Sequence, residues 1–328
     1  MKNDTANNSA LKKTRPNNAE KAPPANPPFF TAKDPLNLIG VFVLWLISWC
    51  LPKLFWVNFC RNAGPVNKKA LFSNPTENQR KIHNMLGGRP IQTTPEKLQN
   101  ELAGEDIYGA LTLLRDHRPG GQALETIIHG REHLDQAIQD GKGAVLWSAY
   151  FVYVPFIQKK ALYQAGYETC HLSHPHHGYS KSTFGEYILN PIQTSAEKKY
   201  LKQRVVLSHN SATAAMRTLK RELKNNGIVS IMARTKTIKP VRAPFMDGHI
   251  LLATGAADLA YSSGAALIPT FTVRDKDETF HVHLESPLQI DRTVNRQEAS
   301  SDVIKQFTDK LEAYVLKYPN QWLGWFEI

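Results

Sequence analysis

The sequence predicts an α/β protein: a mixed sheet flanked by helices, with a helical annex and a hydrophobic anchor on its N-terminal side. Three observations lead there. From about Gly130 onward, short apolar runs alternate with helix-periodic stretches, the pattern of a sheet covered on both faces. A nearly uncharged run begins at Leu36 and continues to Val57. Between the two, residues 61–128 read as helices joined by polar loops. With 328 residues and 42% hydrophobic content the chain can bury a large core, which excludes a wholly disordered protein.

Taken in order, residues 1–33 form a basic tail rich in Asn, Ala, Lys and Pro. Its first 28 residues have almost no large apolar side chains, so they cannot offset the entropy of ordering, and disorder is expected. The tail lacks the charged-then-apolar layout and small-residue cleavage site of a signal peptide. Residues 34–60 are the expected anchor. The run Leu36–Leu51 is borderline for crossing a bilayer, which takes about 20 apolar residues, and Pro52-Lys53 interrupts it. Trp45, Trp49 and Trp56 suit a membrane interface. Lys12, Lys13, Arg15, Lys21 and Lys33 precede the run, and Lys53, Arg61, Lys68 and Lys69 follow it. Basic flanks on both sides fit an anchor lying on a cytoplasmic membrane face better than a crossing. A buried apolar helix is the other reading.

In the annex, a helix is expected to start near Thr76, and Thr94-Pro95 reads as a cap followed by a first-turn proline. Gly87-Gly88-Arg89-Pro90 marks a break. The α/β domain, residues 129–328, should contain strands at Ala144–Ala149, Thr169–Ser173, Ile228–Ala233, Leu267–Val273 and Phe280–Glu285. The helix Ser211–Lys224 sets Ala214, Ala215, Leu219 and Leu223 against a solvated basic side. In the closing helix, Val303–Lys317, the stripe Ile304, Phe307, Leu311 and Val315 is core packing.

The formal net charge is +11, which favours anionic partners: phospholipid headgroups, an acidic carrier protein or nucleic acid. No zinc-finger spacing or aromatic-basic ribonucleoprotein pattern accompanies it, so nucleic acid is not expected. Cys50, Cys60 and Cys170 are scattered and odd in number, which argues against a disulfide framework.

The most informative stretch is Gly143-Ala144-Val145-Leu146-Trp147-Ser148-Ala149-Tyr150-Phe151, preceded by His129-Gly130-Arg131-Glu132-His133-Leu134. Further blocks follow in order: Pro244-Phe245-Met246-Asp247-Gly248, Thr254-Gly255-Ala256-Ala257-Asp258-Leu259-Ala260, Gly264-Ala265-Ala266-Leu267-Ile268-Pro269 and Tyr318-Pro319-Asn320-Gln321-Trp322. In order and spacing, from about Asn67 to the C-terminus, they resemble the late (lauroyl/myristoyl) acyltransferases of lipid A biosynthesis. The resemblance implies a glycerolipid-acyltransferase-like fold on the cytoplasmic face of the inner membrane. It also implies transfer of an acyl chain from an acyl carrier protein or CoA thioester to a lipid, without a bound cofactor.

The family's reaction uses a histidine to deprotonate a hydroxyl and a carboxylate five residues later to orient the imidazole. Here the aligned positions hold Tyr150 and Pro155. A phenol of ordinary pKa near 10 is a poor base at neutral pH, and proline has no side-chain acceptor. Ser173-His174-Pro175 stands where the family has an arginine before proline, and Arg234 where it has an acidic residue. Gly324-Trp325-Phe326-Glu327-Ile328 replaces its aromatic-basic tail. The hydrophobic frame is kept while several polar positions change.

The candidate catalytic residues are therefore Tyr150, His174 and Arg234, and the candidate substrate-binding residues are His176, His177, Lys236 and Thr254. Tyr150 reads either as an aromatic filling the histidine's volume or as a hydroxyl donor, or a base if a cation such as Arg234 depresses its pKa. His171–His177 reads as a solvated loop, a substrate contact or surrogate base, or a set of metal-ligand types lacking recognised zinc spacing; no metal site is assigned. Arg234, Lys236, Lys239 and Arg242 read as an exposed basic loop or as a hold for a phosphate, a phosphopantetheine arm or an acidic carrier. Thr254 reads as a helix cap beside amides that could meet an anion. Three functions remain open: acyl transfer through a rearranged site; a catalytically inactive homologue that binds lipid or a partner enzyme; and, supported by net charge alone and weakest, a basic nucleic-acid-binding protein.

Overall fold

Residues 27–89, 93–175, 177–207, 212–234 and 240–328 are described by the computed structural model. The N-terminal half is helical: α1 (Asp34–Cys50), α2 (Trp56–Leu71), α3 (Pro75–Leu86) and α4 (Pro95–Arg115). The apolar run does not continue through Pro52, because the residue before a proline is pushed out of the helical region, and Leu51 is extended with ψ 124°. No helix among the described residues is long and apolar enough to cross a membrane. Both expected helix starts are capped. Asn74 accepts from the Glu77 amide at 3.3 Å, and Thr94 accepts from the Lys97 amide at 3.2 Å. Helix α2 crosses α4 at Gly64, where a Cβ would lie 2.3 Å from the Asn100 carbonyl oxygen, so a side chain there would force the helices apart.

The remaining elements alternate: β1 (Thr126–His129), α5 (Arg131–Gln139), β2 (Ala144–Ala149), α6 (Lys159–Gln164), β3 (Thr169–Ser173), α7 (Asn190–Lys198), β4 (Gln203–Val206), α8 (Ala212–Lys224), β5 (Ile228–Ala233), β6 (Pro240–Phe245), β7 (Gly248–Ala253), α9 (Gly255–Ser263), β8 (Ala266–Arg274), β9 (Phe280–Leu284) and α10 (Arg296–Lys317). A π-helical turn, Val154–Gln158, leads into α6. The main sheet has seven strands in the order β1-β9-β8-β2-β5-β3-β4. Strands β8, β2, β5, β3 and β4 run parallel, β9 is antiparallel to β8, and β1 is parallel to β9. The mixed α/β sheet expected from the sequence is present.

Strands β2, β3 and β5 have the expected bounds, β8 is one residue longer at each end, and β9 stops at Leu284. Two features of the C-terminal half differ from the expected elements. The block at residues 244–248 forms the end of β6 and the tight turn of an antiparallel hairpin that was not among the expected strands, with Met246 at φ 51°. The closing helix begins at Arg296 rather than Val303, because Asn295 caps it by accepting from the Glu298 amide at 3.0 Å.

Alternation along the strands divides the core. On β2, Val145, Trp147 and Ala149 pack towards α8–α10, with Trp147 stacked on Phe307 at 4.2 Å between centroids. Ala144 and Leu146 pack towards Leu134 of α5 and Ala161 and Leu162 of α6. Each fully buried side chain of this size contributes about 1.5–3 kcal/mol. The larger core runs without a break into Trp56, Leu98 and Tyr108, so the N-terminal helices and the sheet share it.

Candidate active site at the carboxyl ends of the parallel strands

Tyr150 follows β2, Arg234 follows β5 and His174 follows β3. Because these strands are parallel neighbours, all three residues gather on one rim of the sheet, where α/β folds place their ligand sites. His174 is two strands from Tyr150, or about 10 Å at the usual strand spacing. Thr254 joins the same rim, since the Ala253 amide donates to the Arg234 carbonyl at 3.3 Å. It is the N-cap residue, just before α9, but does not cap the helix through its side chain. Its hydroxyl instead donates to Asp258 at 2.8 Å. His176 and Lys236 lie outside the described residues.

Tyr150 is enclosed. The Arg234 guanidinium lies over its ring, 5.1 Å from the centroid, and pairs with Glu327 at 3.1 Å. The Tyr150 carbonyl accepts from the Leu323 amide at 2.9 Å, so the C-terminal segment is laced onto the strand end. Ala149, Ala233, Leu252, Phe307, Leu311 and Trp322 complete a pocket of about 10 Å³, room for about one water. Burial raises the Tyr150 phenol above its ordinary pKa, and the nearby Arg234 offsets only part of that. A phenol held up in this way is not a base at neutral pH. Pro155 sits in the π-helical turn and offers no acceptor.

Across the same strand ends, the face under α6 is polar. Thr272 donates to Gln158 Oε1 at 3.3 Å, and Gln158 donates to Ser148 Oγ at 2.7 Å. Ser148 meets Ser230 at 3.5 Å, and Ser230 meets His171 Nδ1 at 3.3 Å. This row crosses β8, β2, β5 and β3. Beside it, buried Glu197 is paired with buried Lys159 and with His177 Nε2 at 2.7 Å, while Gln193 donates to it at 2.9 Å. Burial alone would raise the Glu197 carboxyl, but Lys159 and His177 outweigh it and hold the group far below the usual carboxylate range. Burial, reinforced by the charge of Lys159, pushes His171 well below its ordinary value and keeps it neutral. His174 is exposed, and its carbonyl anchors the loop, accepting from Arg204 at 3.0 Å and from the His177 amide at 3.2 Å.

Tyr150 and Arg234 are thus in contact, whereas His177 belongs to a separate cluster on the other face. Sequence reasoning missed Lys159, Glu197 and Gln158. One signal was available: Lys159-Lys160 follows a strongly apolar stretch. Both lysines are buried, and each meets a carboxylate, with Lys160 2.5 Å from Asp116.

The arrangement defines an α/β protein whose polar residues gather at the carboxyl rim of a largely parallel sheet. The sequence model of the bacterial lipid A biosynthesis acyltransferases matches residues 31–327, and the chain belongs to this family. A search of curated proteins finds no match.

Proposed function

We propose that this chain is a membrane-bound family member that no longer transfers acyl groups through the family's histidine and carboxylate, and that it acts by holding lipid at the membrane surface. The observation that carries this reading is the narrow Tyr150 pocket. A space of about 10 Å³ lined by Tyr150, Trp322 and Glu327 is too small for a thioester and a hydroxyl acceptor together. The membrane part rests on α1, which buries Val41 and Ser48 and leaves Leu36, Leu38, Ile39, Phe42, Val43 and Leu46 exposed. Leu54 and Phe55 extend the apolar patch. Such a face, flanked by Lys33, Arg61 and Lys69, fits a helix lying in the plane of an anionic cytoplasmic leaflet.

A second reading is favoured by the His177–Glu197 contact at 2.7 Å. It reproduces a histidine oriented by a carboxylate, away from the family's position, and would take an acyl carrier protein or CoA thioester as donor.

The test is acyl transfer by the full chain on lipid vesicles, with acyl-carrier and acyl-CoA donors. The native protein and Tyr150→Phe should give no turnover, whereas the Tyr150→His/Pro155→Glu pair tests whether the old dyad can be rebuilt. Turnover by the native protein that survives Tyr150→Phe and disappears in His177→Gln would overturn the first reading in favour of the second. Sedimentation with anionic vesicles checks the membrane part: Leu38→Asp/Phe42→Asp should release the chain.

A further inference from the structure

We infer that His129, His281 and His283 form a binding site for a divalent transition-metal ion of the zinc type, joining the edge strand β1 to β9. Strands β1 and β9 pair in parallel with His129 opposite His283, and His281 lies two residues back on the same face. The three imidazoles bring one nitrogen each to within 4.8 Å of one another. His129 Nε2 and His281 Nδ1 are 2.9 Å apart. The His129 and His283 rings lie nearly parallel, with centroids 4.5 Å apart.

An outer carboxylate favours a cation over a chance cluster. His281 Nε2 lies 3.3 Å from Asp275 Oδ2, within ion-pair range but not aligned as a hydrogen bond. Asp275 is itself fixed by the Tyr318 hydroxyl at 2.8 Å. With Nδ1 committed to a metal, Nε2–H would have this carboxylate to donate to, the arrangement that orients metal-binding imidazoles. Lys317, whose charge opposes a cation here, is held over the Tyr318 ring, 5.0 Å from its centroid.

Three imidazoles without thiolates suit Zn²⁺ or Co²⁺ rather than Mg²⁺ or Ca²⁺, which favour oxygen ligands. His129 is exposed, so the site opens to solvent on one side.

The experiment uses the full chain in detergent, purified without a polyhistidine tag and titrated with Co²⁺. One equivalent should bind with the intense visible bands of a four-coordinate site, and Zn²⁺ should displace it. His281→Gln and His283→Gln should abolish the bands. Asp275→Asn should weaken binding by about 10–100-fold. His83→Gln, on an exposed helix position, should change nothing. His129→Gln, the least buried of the three, decides the matter if the other variants do not fold. Absence of bands at equimolar Co²⁺ overturns the proposal. So does retention of the bands in His129→Gln and His281→Gln with loss in His174→Gln, which would assign the ion to the loop after β3.

Discussion

The two faces of the sheet at the carboxyl ends of β2 and β5 differ in kind although the residues that line them are one apart on β2 and three apart on β5. Ala149 and Ala233 look into a closed aromatic pocket with Tyr150, Phe307 and Trp322. Ser148 and Ser230 look into a buried polar row that ends at His171 and lies beside Lys159 and Glu197. The resemblance places the family's histidine and carboxylate at Tyr150 and Pro155, on the first face, which the proposed function takes to be filled. On the second, buried charges are paired, and buried charges are costly unless they are. Under that proposal, the contrast separates a change of catalytic residues from a loss of polar organisation.

The largest expected effect tests the polar face. Glu197→Gln leaves Lys159 charged, buried and without its carboxylate, and should cost about 3–5 kcal/mol in urea unfolding at neutral pH. Replacing both partners, as Lys159→Met/Glu197→Leu, should recover most of that, because a well-packed apolar pair needs no compensation. The pH dependence has a definite sign. Glu197 is held below its unfolded value, so its contribution is complete above the usual carboxylate range and is lost as the pH falls below about 4.3. If Glu197→Gln unfolds no more easily than the native chain at pH 7, the polar face does not carry the stability assigned to it.

A smaller effect tests the lid of the aromatic face. Arg234→Gln removes the cation over Tyr150 and the pair with Glu327, whose side chain is only 3% exposed. Because Arg234 itself is half in solvent, the expected loss is about 1 kcal/mol. The Tyr150 phenol should titrate still higher, since Arg234 now lowers it. An ultraviolet difference titration that finds a Tyr150 pKa unchanged or lower would remove Arg234 from contact with the ring.

What the sequence made legible follows burial. Strands β2 and β5 were readable because strands covered on both faces are largely apolar runs bounded by glycine or polar residues. Strands β1 and β4, each of four residues on the sheet edges, are partly exposed and carry no such run. The hairpin turn at Met246-Asp247-Gly248 carries an Asp-Gly pair, a turn signal that was not used. At the site, Tyr150 and Arg234 were readable as neighbours because each follows a strand of the same parallel set. Glu197 was not, because its partner Lys159 is distant in sequence and only the packing of α7 on α6 joins them. The His129, His281 and His283 cluster was hidden for the same reason: the spacing His281-x-His283 is visible, but the third member depends on the register of β1.

The smallest expected effect sharpens the comparison most. Tyr150→Phe keeps the ring under Arg234 and removes only the hydroxyl, so a packing role predicts a stability change within about 0.5 kcal/mol. Tyr150→Ala empties the pocket and should cost about 3–5 kcal/mol, the range for deleting a buried aromatic. The difference between the two substitutions measures how much of the residue's role is volume. A loss of more than about 2 kcal/mol in Tyr150→Phe would instead mean that the phenol hydroxyl is a satisfied buried polar group whose partner is left exposed by its removal. The aromatic face would then hold a polar anchor of its own, and the division between a filled face and a polar face would no longer describe this rim.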